Sequence, residues 1–239
     1  MSLFEVLFLV VILLTNVIQA ITGFAGTTLA MPVSLRLVGP DVARPVLNLA
    51  AVIICVYVVI RHFKDIQWLE FLKMIVCVGF GFGLGFALQL LPIGSTYLMK
   101  FYGITIMSVA LLYMFVDIDK VKIPPWVLYL CLFLGGLVHE LYISGGPLVV
   151  IYAMKRFKDK NAFRANLSLM WIVLNGILFA THFGNGLFSP HIWMLVGIAF
   201  AVSILSYVAG SLLAKKMPLP IFMKVTYVLL FISGLSIIL

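Results

Sequence analysis

The chain has 239 residues, of which 64% are hydrophobic and only 10% charged. A water-soluble domain carries about 45–50% apolar and about 25% charged residues, so a soluble globular protein is excluded. The net charge of +8 sits on Lys and Arg in short loops between apolar runs, which excludes a nucleic-acid-binding stripe and reads as a membrane orientation signal.

About 20 apolar residues cover the ~30 Å hydrocarbon core, and runs of that size recur along the whole chain. The first run lacks the basic leader and the clean cleavage pattern of a secretion signal, so it is expected to be a retained membrane helix. Eight segments are predicted, near 4–37, 42–62, 69–90, 98–116, 126–157, 161–182, 191–213 and 218–238. The fold class is therefore an all-α integral membrane protein of about eight transmembrane segments.

The first and fifth segments are interrupted. Gly23, Gly26, Thr27 and Thr28 break the first, and Ser144, Gly145, Gly146 and Pro147 break the fifth. Gly and Pro weaken a helix locally, and bare backbone at membrane depth survives only when buried in protein or lining a cavity. At a constant offset of 120 residues, Gly26 falls on Gly146, Arg44 on Arg164, Leu47 on Leu167 and Gln19 on His139. This order predicts an internal duplication, with residues 1–120 as the first membrane repeat and 121–239 as the second. Each four-segment half would open with a broken or re-entrant helix. Such paired breaks are the best sequence pointer to a transporter's binding site.

Lys and Arg give the orientation. If each interrupted segment crosses once, 11 of the 16 basic residues fall on the cytoplasmic side. If each is a hairpin returning to its starting side, 13 do, and the halves become inverted repeats. Both arrangements put the termini outside the cytoplasm, and the hairpin arrangement is preferred.

Glu140 is the one acidic residue deep within an apolar run. An ionisable group in the membrane is costly and usually functional, so Glu140, with His139 in a lesser role, is expected to couple protons or gate the path. The alternative is a carboxyl group that only fixes helix packing. Each break is followed by a short apolar helix whose N-terminus offers unpaired N–H groups and the positive end of a dipole, an anion site. Pro147 suits the first turn of such a helix; Thr28 and Ser144 are expected as caps. Asn16 and Gln19 share a face leading into the first break, and with Asn48 and Asn166 they are expected to line the path. Interhelical hydrogen bonding is the competing role for these amides. Arg44 and Arg164 read more readily as topology determinants than as anion ligands.

Gly79, Gly81, Gly83 and Gly85 form two overlapping GxxxG spacings, a helix-packing signal. Cys55, Cys77 and Cys131 lie singly in apolar runs and are expected as buried hydrophobes. No metal and no cofactor is expected. No GxxxxGK[ST] loop occurs, His139-Glu140 has Ile143 where HExxH needs His, and Ser144-Gly145 has Tyr142 where GxSG needs Gly. These departures exclude an ATP-driven pump and argue against a zinc or serine protease.

Gly23-Phe24-Ala25-Gly26 with Pro32 in the first half, and Gly145-Gly146-Pro147 in the second, resemble the glycine-rich elements of the sulfite exporter TauE/SafE family. The resemblance covers nearly the whole chain. It implies seven to nine helices in two related halves, and transport of sulfite, sulfonates or other sulfur-containing organic anions across the cytoplasmic membrane. Two features depart from the family pattern: Thr27-Thr28, where a longer glycine run is frequent, and the polar His139-Glu140-Leu141-Tyr142 before the second glycine element.

The expectation is thus a secondary transporter for a small anion in the cytoplasmic (inner) membrane, multi-pass, coupled to protons through Glu140. An anion channel or a non-transporting membrane scaffold is the alternative. The expected partners are the anion and the lipid bilayer, with no nucleic acid, and a homo-oligomer is compatible with this reading.

Overall fold

A computed structural model describes residues 1–22, 25–91, 95–118, 120–214 and 219–238. Among these residues it contains ten α-helices and one 3-10 turn. The helices are α1 (Leu3–Thr22), α2 (Gly26–Val38), α3 (Pro40–Arg61), α4 (Trp68–Leu90), α5 (Ser95–Phe115), α6 (Pro125–Tyr142), α7 (Gly146–Arg156), α8 (Lys160–Gly184), α9 (Pro190–Ala214) and α10 (Leu219–Ile238). Seven of them, α1, α3, α4, α5, α6, α8 and α9, are long and apolar enough to cross a membrane. In α10 the apolar stretch among the described residues is Thr226–Leu235, shorter than a span.

Helix limits follow local chemistry. Gly39 adopts φ 74°, a left-handed conformation that costs glycine nothing, and Pro40 then opens α3 where its missing N–H is no loss. Asp159 caps α8, its carboxylate accepting from the backbone N–H of Asn161 and Ala162 at 2.9 and 2.8 Å. With 13 and 11 residues, α2 and α7 are about 20 and about 16 Å long, too short to span alone.

Large apolar side chains point outward all around the bundle, among them Leu3, Ile60, Phe80, Leu90 and Phe115. In water such a surface would be an aggregation hazard, whereas in lipid it is the solvated face. Trp68 and Trp126 stand exposed at the starts of α4 and α6, as interfacial anchors do.

Lipid is as apolar as the helices, so helix association relies on close packing. Helix α4 packs on α6, α1 on α9, α5 on α10 and α3 on α8, with α2 and α7 folded among them. Glycines make the closest of these contacts. A Cβ at Gly81 would run into the Phe133 carbonyl, and one at Gly136 into the Val78 carbonyl. Gly85 abuts Leu137 and Glu140. Of the two GxxxG spacings, Gly81 and Gly85 form the helix contact, while Gly79 and Gly83 face open space.

Candidate functional site

Helix α1 ends at Thr22 and α2 begins at Gly26; α6 ends at Tyr142 and α7 begins at Gly146. Gly23 and Phe24 lie outside the described residues. Each short helix packs against its predecessor. Gly26 lies so close to Gln19 of α1 that a Cβ would overlap its side chain, and Gly145 lies against the Gly135 carbonyl of α6. Ile143, in the second joint, has φ 54°. A β-branched residue there is a conformational outlier that only a tightly determined environment sustains.

The predicted caps are corrected. Ala25 and Gly145 occupy the N-cap positions of α2 and α7, and neither makes a side-chain capping bond. Thr28, in the first turn of α2, donates from Oγ1 to the Ser144 carbonyl at 3.4 Å. Ser144 Oγ donates to the Tyr142 carbonyl at 2.7 Å and accepts from the Tyr102 hydroxyl at 2.7 Å. Both hydroxyls therefore fasten the two joints to each other and to α5. Pro147 does sit in the first turn of α7.

Between the joints is a cavity of about 40 Å³, room for a few water-sized groups. Thr27 and Gly146, from the first turns of α2 and α7, border it. Gln19, His139, Arg164, Ser168, Asn175 and Tyr207 supply its polar wall, with Trp171, Ile143 and part of α3 as its apolar wall. Among the described residues, no carboxylate lines it. Arg164 donates from Nη2 to the Tyr207 hydroxyl at 3.1 Å, and among the described residues it has no acidic partner. The His139 ring stacks on Trp171 with centroids 4.7 Å apart, and its Nε2 lies 2.9 Å from Asn175 Oδ1. Its Nδ1 and the Gln19 Oε1 are buried without a hydrogen-bond partner. Buried polar atoms are nearly always paired, so two orphans on residues bordering one cavity point to a polar occupant.

Of the predicted site residues, Gln19, Thr27, His139 and Gly146 line this cavity together. Gly26 and Gly145 support it through the close contacts above. The remaining amides bond between helices. Asn16 Nδ2 donates to Ser203 Oγ of α9 at 2.9 Å, and Asn48 Nδ2 to the Asn175 carbonyl at 3.0 Å. Asn166 accepts from the Gln67 N–H at 3.2 Å, joining α8 to the turn before α4. Arg164 enters the cavity, although its loop-proximal position reads from sequence as a topology signal. Its register with Arg44 at the 120-residue offset was the available clue. Nothing in the sequence marked Trp171 or Tyr207.

Glu140 is the one acidic residue among the described residues that is fully buried, yet it points away from the cavity. Its two oxygens lie 2.6 and 2.7 Å from Gln89 Nε2 of α4. Arg44 of α3 donates from Nη2 to the Glu140 carbonyl at 2.9 Å, and the same nitrogen is 3.9 Å from Glu140 Oε1. The polar groups thus form two clusters, one around Arg164 and one around Arg44, on opposite sides of the joints.

The chain is similar to the probable inner membrane transporter protein TsaS of Comamonas testosteroni, with 27% identity over 115 residues. That match spans 48% of this chain and 48% of the relative, about half the length of each. No solved structure matches the chain. The model of the sulfite exporter TauE/SafE family matches residues 7–237, nearly from end to end, and the chain belongs to that family of multi-pass membrane transporters.

Proposed function

We propose that this transporter, which is not an enzyme, carries a small sulfur-containing oxyanion such as sulfite or a sulfonate through the Arg164 cavity, coupled to protons through Glu140. One observation carries the reading: a single cavity combines a guanidinium with the N-terminal turns of α2 and α7 and, among the described residues, contains no carboxylate. Magnitudes assign the roles. A helix N-terminus stabilises an anion by about 0.3–1 kcal/mol, up to ~2 when partly buried. Desolvating an ion costs several kcal/mol. Two helix ends therefore fall short alone, and Arg164 supplies the difference, with Thr27, Ser168 and Tyr207 as further donors.

The same reading takes the two halves as inverted repeats with re-entrant α1–α2 and α6–α7 pairs. The packing supports a two-fold relation between the halves, because exchanging α1–α5 with α6–α10 turns the α1–α9 contact into α6–α4 and leaves α5–α10 and α3–α8 unchanged. The close approach of Gly26 to Gln19 and of Gly145 to Gly135 suits a hairpin. The protein would sit in the inner membrane with both termini outside the cytoplasm. Residues 1–120 and 121–239 are then the two repeats of one membrane domain.

Flux measured in proteoliposomes tests the proposal. Sulfite uptake should saturate with concentration and respond to an imposed pH gradient. Flux that rises linearly without saturation would establish a channel instead, and absence of any sulfite flux or binding would remove the substrate assignment.

A further inference from the structure

At the far end of α3 and α8 from the Arg164 cavity lies the Arg44 cluster. Arg44 is the 120-residue counterpart of Arg164, and Gln89 Oε1 accepts from its Nη1 at 3.1 Å much as Tyr207 accepts from Arg164. One difference separates the two. Among the described residues the Arg164 cavity has no carboxylate, whereas beside Arg44 stands Glu140, its Oε1 3.9 Å from Nη2. The Arg44 cluster thus holds an internal carboxylate at ion-pair distance from the guanidinium, itself hydrogen-bonded to Gln89, where the Arg164 cavity holds none.

Three buried polar atoms near Arg44 lack partners: its own Nε and both ring nitrogens of His182. His182, on the last turn of α8, is only 4% exposed and lies within electrostatic reach of Arg44. A buried donor left without a partner is costly; Arg44 Nε is one such donor, and an oxygen of a bound anion would accept from it. The Arg44 side chain is 19% exposed, and its partner Gln89 stands at the protein surface near the end of α4.

We propose that Arg44 is a second anion station, closed by the Glu140 carboxylate acting as a tethered stand-in for substrate, and that protonation of Glu140 hands Arg44 to the anion. This rests on the reading of the chain as an anion carrier. The proton goes onto a Glu140 carboxylate oxygen and the anion takes over the guanidinium, so one negative charge replaces another and the cluster stays balanced. The other charged or titratable groups facing it are Asp41 on α3, Tyr142 at the end of α6 and His182 on α8. Proton and anion then favour each other's binding at this station, and the coupling is reciprocal.

Equilibrium binding of labelled sulfite to the full chain in nanodiscs decides the matter. Glu140→Gln should bind one more sulfite per chain than the parent, and adding Arg44→Gln should remove that extra site. Arg164→Gln should abolish the site present in the parent and leave the extra one of Glu140→Gln intact. Glu140→Ala, which vacates the carboxylate's place altogether, is the second variant and should gain the same extra site. If both Glu140 variants bind only as many anions as the parent, Arg44 is no station. If the parent binds none but a Glu140 variant gains an Arg44-dependent site, the Arg164 assignment fails while this one stands.

Discussion

Thr28 in the first turn of α2 donates to the carbonyl of Ser144 in the α6–α7 joint, 116 residues away in sequence. This bond brings the starts of the two short helices side by side. Two positive helix ends converge on one small volume, which an anion can exploit and a cation cannot. Spin labels at Thr27 and Ser144 should therefore report a short separation, well below the ~30 Å thickness of the hydrocarbon core. A distance comparable with that thickness would separate the joints and dissolve the shared site.

Arg164→Gln should weaken sulfite binding at the cavity by at least about thirtyfold, because removing one partner of a buried charge pair costs roughly 2–5 kcal/mol. Arg164→Lys keeps the charge but loses the planar fork, so it should fall between parent and Gln. Calorimetric titration with sulfite gives the ranking. Equal affinities for all three proteins would take Arg164 out of the site.

Glu140→Gln preserves shape and the contact with Gln89 while removing the titrating group. Saturable transport should persist, and its response to an imposed pH gradient should vanish. The comparison is uptake by parent and variant proteoliposomes with and without the gradient. A variant that still concentrates substrate in response to the gradient would leave Glu140 a packing residue, the alternative that its short contacts with Gln89 also satisfy.

Neighbouring glycines of α4 should differ in sign on substitution. Gly81→Ala forces a methyl group into the Phe133 carbonyl, and overpacking of this kind costs about 1–3 kcal/mol. Gly83 has nothing within 4 Å of its would-be Cβ, so Gly83→Ala should be neutral or stabilising by up to about 1 kcal/mol through helix propensity. Thermal unfolding in detergent should show Gly81→Ala melting below the parent and Gly83→Ala at or above it. Equal destabilisation by both would mean that α4 meets α6 through a different face.

The turn at Gly39–Asp41 reports whether α1 and α2 form a hairpin or cross together. Asp41 is exposed, and a cysteine there, in a background without Cys55, Cys77 and Cys131, can be labelled from either side. The hairpin arrangement places it on the outer face, accessible to an impermeant thiol reagent added to intact cells. Labelling only after the membrane is opened would favour the single-crossing arrangement and parallel repeats.

The sequence by itself determined that this is an all-helical membrane protein, because the number, length and spacing of apolar runs answer directly to bilayer thickness. Gly and Pro act on the backbone locally, so the sequence could also single out Gly26 and Gly146, the residues at which α2 and α7 begin. Only the tertiary structure decided which polar residues face the cavity. Asn16, Gln19, Asn48 and Asn166 are chemically alike in sequence, yet Gln19 alone of the four borders the cavity, the others being spent on bonds between helices. Arg164 and Arg44 both sit near helix starts, where basic residues ordinarily set topology. What distinguishes them is their neighbours from other helices: Tyr207 for one, Gln89 and Glu140 for the other. These contacts span at least 43 residues of sequence, beyond the reach of any local pattern, and they exist only because close glycine contacts and the two joints bring the helices together.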